Sequence, residues 1–230
     1  IIANPAGIQI KGGGFINANK AIFTTGKTQL NADGSIKQFI VSQGKVTVDA
    51  NAGSSLGLGG NNNNADYVDI YARAIELNAQ LHANKDIQVL AGNNTISADL
   101  QEISTSTGTG TVPTLAIDVK NLGGMYANNI YLLGTEKGLG VSNAGTVRAI
   151  NNLVVTSAGK IENTGTLEAT SPTQSLVNIQ TTQTGLNGNV NTSGVISSKG
   201  ILSVDSANDI NINANQIKVD VGTNSPLMLS

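Results

Sequence analysis

Asn143-Ala-Gly-Thr-Val-Arg-Ala149 returns 20 residues later as Asn163-Thr-Gly-Thr-Leu-Glu-Ala169. Self-similarity at a fixed short period marks a solenoid, in which each unit buries its apolar face only by stacking on its neighbour. A second register runs through the same region. Leu153, Val155, Ser157, Ala158 and Ile161 return as Leu202, Val204, Ser206, Ala207 and Ile210, 49 residues on, so the repeat tolerates insertions. Around these positions apolar and polar residues alternate, as in Val204, Ile210, Ile212 and again Ile217, Val219, Val221. That is the period of a strand with one buried face. Asn, Gly, Asp, Ser and Thr fill the gaps, and these residues accept left-handed backbone or bond their own main chain at tight corners. Each coil therefore reads as strand, turn, strand, turn. Stacking such coils gives an all-β, right-handed parallel β-helix with extra-helical loops or hairpins.

Composition fits a narrow aliphatic column. The 230 residues include 27 Gly and 29 Asn but only 3% aromatics, which disfavours a wide core built on large rings. Val, Ile, Leu and Ala fill such a column, and Asn side chains can stack at its corners into hydrogen-bonded ladders. Strand-like phrases run from Ile8 to Val221 without a Pro-rich or charged linker, which predicts one continuous domain over residues 1–230.

Charge excludes several partner classes. The net charge is −2 and the only arginines are Arg73 and Arg148, so there is no basic stripe to displace phosphate counterions and no nucleic-acid partner is expected. Apolar runs are far shorter than the roughly 20 residues needed to cross a bilayer as a helix, and the folded chain is expected to be soluble. The absence of cysteine removes disulfides, thiolate zinc sites and a cysteine nucleophile together. No signal-peptide pattern opens the sequence, so a leader is expected to have been removed or left out upstream of Ile1.

Polar tracts at 58–66, 105–113 and 181–192 interrupt the coil pattern and are expected to project as loops or hairpins, where they could meet a receptor. Residues 72–83 have helix-forming composition, yet Val68, Ile70, Ala72 and Ala74, then Ile75, Leu77, Ala79, Leu81 and Ala83, alternate with a change of parity between positions 74 and 75. Two strands meeting at a bend are predicted there.

An ordered series of phrases resembles the secretion domain of two-partner secretion exoproteins, the family of filamentous haemagglutinin-type adhesins and contact-dependent growth inhibition toxins. It comprises Asn4-Pro-Ala-Gly-Ile8, Gly14-Phe-Ile-Asn-Ala-Asn-Lys20, Asp66-Tyr-Val-Asp-Ile70 before Ala72-Arg-Ala74, Leu122-Gly-Gly-Met-Tyr-Ala127, and Gly134-Thr-Glu-Lys-Gly-Leu-Gly-Val141. The resemblance covers about residues 1–170, with 171–230 reading as continuing coils. It departs from the family at Ala6, where a second Asn is common, at Lys20, where Arg is usual, and at Ile10 and Gly13, where many members carry cysteines. Members also carry an N-terminal cap before this point, so a covering segment ahead of residue 1 is expected.

The resemblance implies export through an outer-membrane transporter of a Gram-negative bacterium, a surface-exposed or secreted product, and a host or neighbouring-cell receptor met by other regions. It also implies that Asn4, Pro5, Gly7 and Ile8 belong to the signal which that transporter engages. The same residues form a tight turn in any fold. No cofactor, metal or catalytic residue is expected. His82 is the sole histidine and is predicted to face solvent, while Asp66 with Asp69 and Asp205 with Asp209 read as solvated turn residues. The alternative function is a carbohydrate-active enzyme, since polysaccharide lyases and some glycosidases also use parallel β-helices.

Overall fold

A computed structural model describes residues 1–213, 216–219 and 227–230. The repeat that opens the sequence reading lies on adjacent coils of a parallel β-helix: Val141 pairs with Ile161, and Thr146 with Thr166. One coil consists of Gly140–Asn143 and then the long strand Thr146–Ser157, which bends so that residues 146–149 and 152–157 lie in different ladders. Each coil thus has three strands rather than two. The bend leaves no loop in the sequence to announce it, because strand-forming residues run straight through.

The first face is an eight-stranded sheet running from Ile8–Lys11 to Ile210–Ile212. The other two faces form one fourteen-stranded sheet, continuous through the bent strands Gly124–Gly134 and Thr146–Ser157. A coil takes 20 residues between Val141 and Ile161 but 42 between Ile75 and Ile117, because insertions leave the stack at its corners. Leu153 pairs with Val177 and Val177 with Leu202, so the 49-residue interval spans two coils. The expected alternation at Val221 lies outside the described residues. Their single helix is a 3-10 turn, Leu186–Gly188, and among them no helix is long and apolar enough to cross a membrane.

Inward residues form one aliphatic column from Val46 through Ile75, Ile117 and Val141 to Val190, all essentially inaccessible to solvent. Burial of each contributes roughly 1.5–3 kcal/mol. On the first face the column turns polar: Leu77 and Val119 are followed by Asn143, Asn163 and Thr192. Asn143 Nδ2 donates to Asn163 Oδ1 at 2.8 Å, and Asn163 Nδ2 to Thr192 Oγ1 at 3.2 Å, so the expected ladder is present. At the corner that follows, Gly123, Gly145, Gly165 and Gly194 stack. A Cβ at any of the last three would strike the backbone oxygen of the glycine one coil earlier. The recurrent glycine therefore serves close approach of coils, not left-handed backbone, and Gly145 and Gly165 both have ordinary φ.

Residues 67–77 follow the predicted change of parity. Val68, Ile70 and Ala72 face inward from Tyr67–Ala72, and Ile75 and Leu77 from Ala74–Leu77, with the corner at Arg73. The corner above and the corner below Arg73 each carry a hairpin. Lys27–Leu30 pairs with Ile36–Val41, and Asn94–Ser97 with Ile103–Thr105. The two hairpins join antiparallel through Asn94↔Val41 and Ile96↔Phe39 into a four-stranded flap. It lies on the outside of the third face and buries a second core of Phe39, Val41, Tyr71, Leu90 and Ile96. The row beneath the flap and beyond it reads Tyr71, Leu90, Leu133, Thr156, Gln180, Asp205, apolar where covered and polar where bare.

The projections thus differ from expectation. Hairpins occupy 27–41 and 94–105. In 58–66 the chain turns tightly after strand Leu56–Leu58. Tract 105–113 folds down beside Arg73, and Val190–Thr192 is a coil strand of the first face.

Candidate functional site

The residues singled out by resemblance form the corner of the first described coil. Strand Ile2–Ala3 pairs with Phe23 and Thr24, and Asn4 N extends that ladder by donating to Thr24 O at 2.9 Å. The chain then reverses. Asn4 Oδ1 accepts from Ala6 N at 3.1 Å, and Asn4 O accepts from Gly7 N at 3.0 Å. Proline at position 5 pre-sets φ for the turn. Gly7 has φ +131°, a conformation that a side chain resists, and a Cβ there would stand 3.1 Å from Lys45 O. Strand Ile8–Lys11 follows, with Ile8 opposite Val46.

The turn rests on the next coil: a Cβ at Gly44 would lie 2.6 Å from Pro5 O. Asn4 and Ala6 are exposed, Pro5 and Gly7 half-buried, and Ile8 packs against the column. The structure therefore brings Asn4, Pro5, Gly7 and Ile8 together in one hydrogen-bonded corner that exposes the asparagine and part of the proline ring. None of the four side chains is titratable, so the corner can be recognised by shape and hydrogen bonding but supplies no acid, base or nucleophile.

The carboxylate nearest the corner, Asp49, is already engaged. Gln9 Nε2 donates to Asp49 at 2.8 Å, and this bond, followed by one from Asn78, holds the Asp49 carboxyl below the usual carboxylate range. Outward on the same face, Glu76 pairs with Lys45 at 2.7 Å, Asp118 with Lys120 at 2.5 Å and Glu162 with Lys160 at 2.6 Å. The carboxylates that lie close in sequence, Asp66 with Asp69 and Asp205 with Asp209, have separate partners. Asp66 meets Lys85 at 2.9 Å, whereas Asp69 is buried against Lys20 and accepts from the Tyr71 hydroxyl at 2.5 Å. Asp69 is thus no solvated turn residue, contrary to its sequence reading, because the flap covers its strand. Asp205 accepts from Gln180, and Asp209 from Asn208. Among the described residues no three His, Asp or Glu side chains converge to hold a metal ion.

His82 also departs from expectation. It points outward but is half-buried, because its ring stacks on Tyr126 one coil away, with centroids 4.7 Å apart and planes 12° apart. Its Nε2 lies 3.1 Å from Gln80 Oε1. Burial disfavours the charged ring and lowers its pKa below 6.5. The folded state is therefore the poorer proton binder, so His82 lowers stability as the pH falls below the unfolded value of about 6.5. The chain has one histidine, so its imidazole NMR signals are unambiguous. A titration midpoint below 6.5 is expected, and a midpoint at or above that value contradicts the burial.

Sequence reading missed Arg73 as an anchoring residue. Its side chain is 5% exposed, with Nη2 2.8 Å from Glu136 Oε1, Nε 3.2 Å from Glu136 Oε2 and Nη1 2.7 Å from Thr109 O. The change of parity beside it marks a corner. Nothing local marks the partners, which lie 36 and 63 residues downstream.

Comparison with known proteins gives two family matches. The model described as TPS secretion domain matches residues 1–163, and that described as haemagglutinin repeat matches residues 166–225. A relative from Enterobacter cloacae, the 16S rRNA endonuclease CdiA, is 43% identical over 180 residues, covering 78% of this chain and 5% of the relative. The tRNA nuclease CdiA-2 of Burkholderia pseudomallei is 42% identical over 149 residues, 65% of this chain and 4% of that protein. The chain thus spans about one twentieth of the length of these relatives. The crystal structure of the filamentous hemagglutinin secretion domain superposes with a TM-score of 0.58 at 27% identity, covering 93% of this chain and 66% of that one.

Proposed function

The chain belongs to the TPS (two-partner secretion) secretion domain family, and on that premise we propose that its N-terminal corner is the address read by an outer-membrane transporter. Members of this family are parts of exoproteins that Gram-negative bacteria secrete across the outer membrane. In our reading Asn4, Pro5, Gly7 and Ile8 contact the transporter, the chain passes through extended, and the coils wind outside the cell. Residues 1 to about 170 are the exporting portion, and 171–230 continue the same winding. The parent protein is a surface or secreted adhesin or growth-inhibition toxin, and a receptor on a host or neighbouring cell is met by its other regions.

The observation that carries this reading is the match to the secretion-domain family over residues 1–163, which contain the Asn4-Pro-Ala-Gly-Ile8 corner. We assign no catalysis to this segment. The nuclease activities in the relatives' names belong to proteins of which it covers one twentieth. Winding outside the cell supplies a reason for one-way movement: each coil pairs its backbone with the previous coil and adds aliphatic surface to the column, at roughly 25 cal/mol per Å².

Export of the parent exoprotein in cells that carry its transporter tests the assignment. The Asn4→Ala change removes one exposed hydrogen bond, which costs about 1 kcal/mol or less of stability. A tenfold or greater loss of surface protein in Asn4→Ala and Pro5→Ala is expected, with the Tm of the purified domain lowered by no more than about 4 °C. Wild-type export from both variants counts against the corner.

A further inference from the structure

We propose that the flap-bearing coils, from the N-terminal corner to Leu139, form as one all-or-none unit that closes only when Glu136 reaches Arg73. The coils beyond add singly. This deepens the folding half of the reading above and rests on it for its role in export.

A plain solenoid folds by nearest-neighbour addition, because each coil touches only the next. Three sets of contacts break that rule here. First, the flap joins hairpins from two corners that are not adjacent, Phe39 meeting Ile96 across the level of Arg73. Around the same corners Ser106 Oγ donates to Val41 O at 2.7 Å and Thr109 N to Ser42 O at 2.9 Å.

Second, Tyr71 and Leu90 face outward and are 1% and 3% exposed only because Phe39 and Ile96 cover them. A stack that stopped before Asn94 would lack Ile96, leaving Leu90 without that cover and the packed pair Phe39 and Tyr71 only partly shielded from water.

Third, every polar partner of the buried Arg73 guanidinium comes later in the chain: Thr109 O, Thr111 O and both carboxylate oxygens of Glu136. A desolvated guanidinium without its carboxylate is strongly disfavoured. Before residue 136 arrives, the corner at Arg73 is more stable open to water than closed. Sheet pairing, apolar cover and charge pairing thus all become complete over the same stretch of chain. Contacts distributed this way define a cooperative unit.

Beyond Leu139 the pattern is different. Val141, Ile161, Val190 and Ile210 pair in simple succession, and the outward residues Thr156, Gln180 and Asp205 need no cover.

Native-state hydrogen exchange on the whole purified chain at rising, sub-denaturing urea tests this without the transporter, so its failure leaves the export reading intact. Amides of Ile36–Val41, Tyr67–Ala72, Asp86–Ala91 and Asn94–Ser97 are expected to converge on one opening curve. Those of Val190–Thr192 and Val195–Ser198 are expected to open at lower urea. Successive opening of the flap-bearing coils in stack order overturns the proposal. In Arg73→Met the shared curve is expected to move as a set, with at least tenfold faster exchange, while the later coils keep their rates. Acceleration confined to residues 107–113 and 136 also overturns it. Ser106→Ala, which removes only the bond to Val41 O, gives the same readout where Arg73→Met does not fold, and the wild-type curves decide without either variant.

Discussion

Replacing Glu136 by leucine is expected to cost the protein about 3 kcal/mol, measured as the urea midpoint of the transition followed at the flap. Removal of one partner of a buried ion pair typically costs 3–5 kcal/mol, since the other charge stays behind. Glu136 is 16% exposed and Nη1 of Arg73 retains Thr109 O, so some hydration and one acceptor remain and the low end applies. The matched control is Glu76→Gln, at a pair whose lysine is 50% exposed, where about 1 kcal/mol or less is expected. Lys45 and then Asn78 hold the Glu76 carboxyl below its ordinary value. That contribution is present above the unfolded carboxylate range and disappears as pH falls through the lower folded value. If the two substitutions have equal effects, Arg73 is as well solvated as Lys45 and its anchoring role fails.

Gly165→Val is expected to lower stability by about 3 kcal/mol or more, equivalent to a fall of roughly 10 °C in Tm for a chain of this size. Its Cβ would strike Gly145 O and stand 2.6 Å from the carbonyl carbon of Ala144. The coils cannot part to admit it, because Ile161 pairs with Val141 on one side and Thr166 with Thr146 on the other. Gly34→Ala separates contact from conformation. Gly34 has φ +84° at a hairpin tip with nothing within 4 Å, so it bears only the left-handed penalty of about 1–2 kcal/mol. Thermal unfolding of both variants gives the comparison. Equal losses would mean that the stacked corner yields to a side chain as readily as an open hairpin tip.

The parallel stack was legible because a coil writes its pattern locally. Asn143 and Asn163 fall on neighbouring coils at equivalent positions, and the aliphatic alternation follows the column: Leu153, Val155, Val177 and Ile179 are all inward and buried. The corner at Asn4, Pro5 and Gly7 was equally readable, since proline, glycine and an asparagine side chain specify a turn within a few residues. The third strand of each coil was not, because residues 146–157 bend without leaving the extended conformation. Nor was the flap. Asp33-Gly34 between two alternating runs is a hairpin signal, but the meeting of Phe39 with Ile96 depends on a stack that sets two distant corners side by side. The same reason hid Arg73 and His82. One is buried by residues from later coils and the other by Tyr126 across a ladder, and no neighbour in sequence reports either.

The change from Leu133 to Thr156 along the row beneath the flap divides the molecule into two kinds of material. Upstream, the two hairpins reach over a fixed height of stack and meet at a fixed register, so a coil inserted between them would pull Val41 away from Asn94. Downstream, the same row is polar at Thr156, Gln180 and Asp205, and among the described residues no hairpin bridges the coils, so length there is a matter of arithmetic. A fibre can be made longer or shorter by whole turns without disturbing its base, much as storeys are added above a foundation whose own dimensions are set.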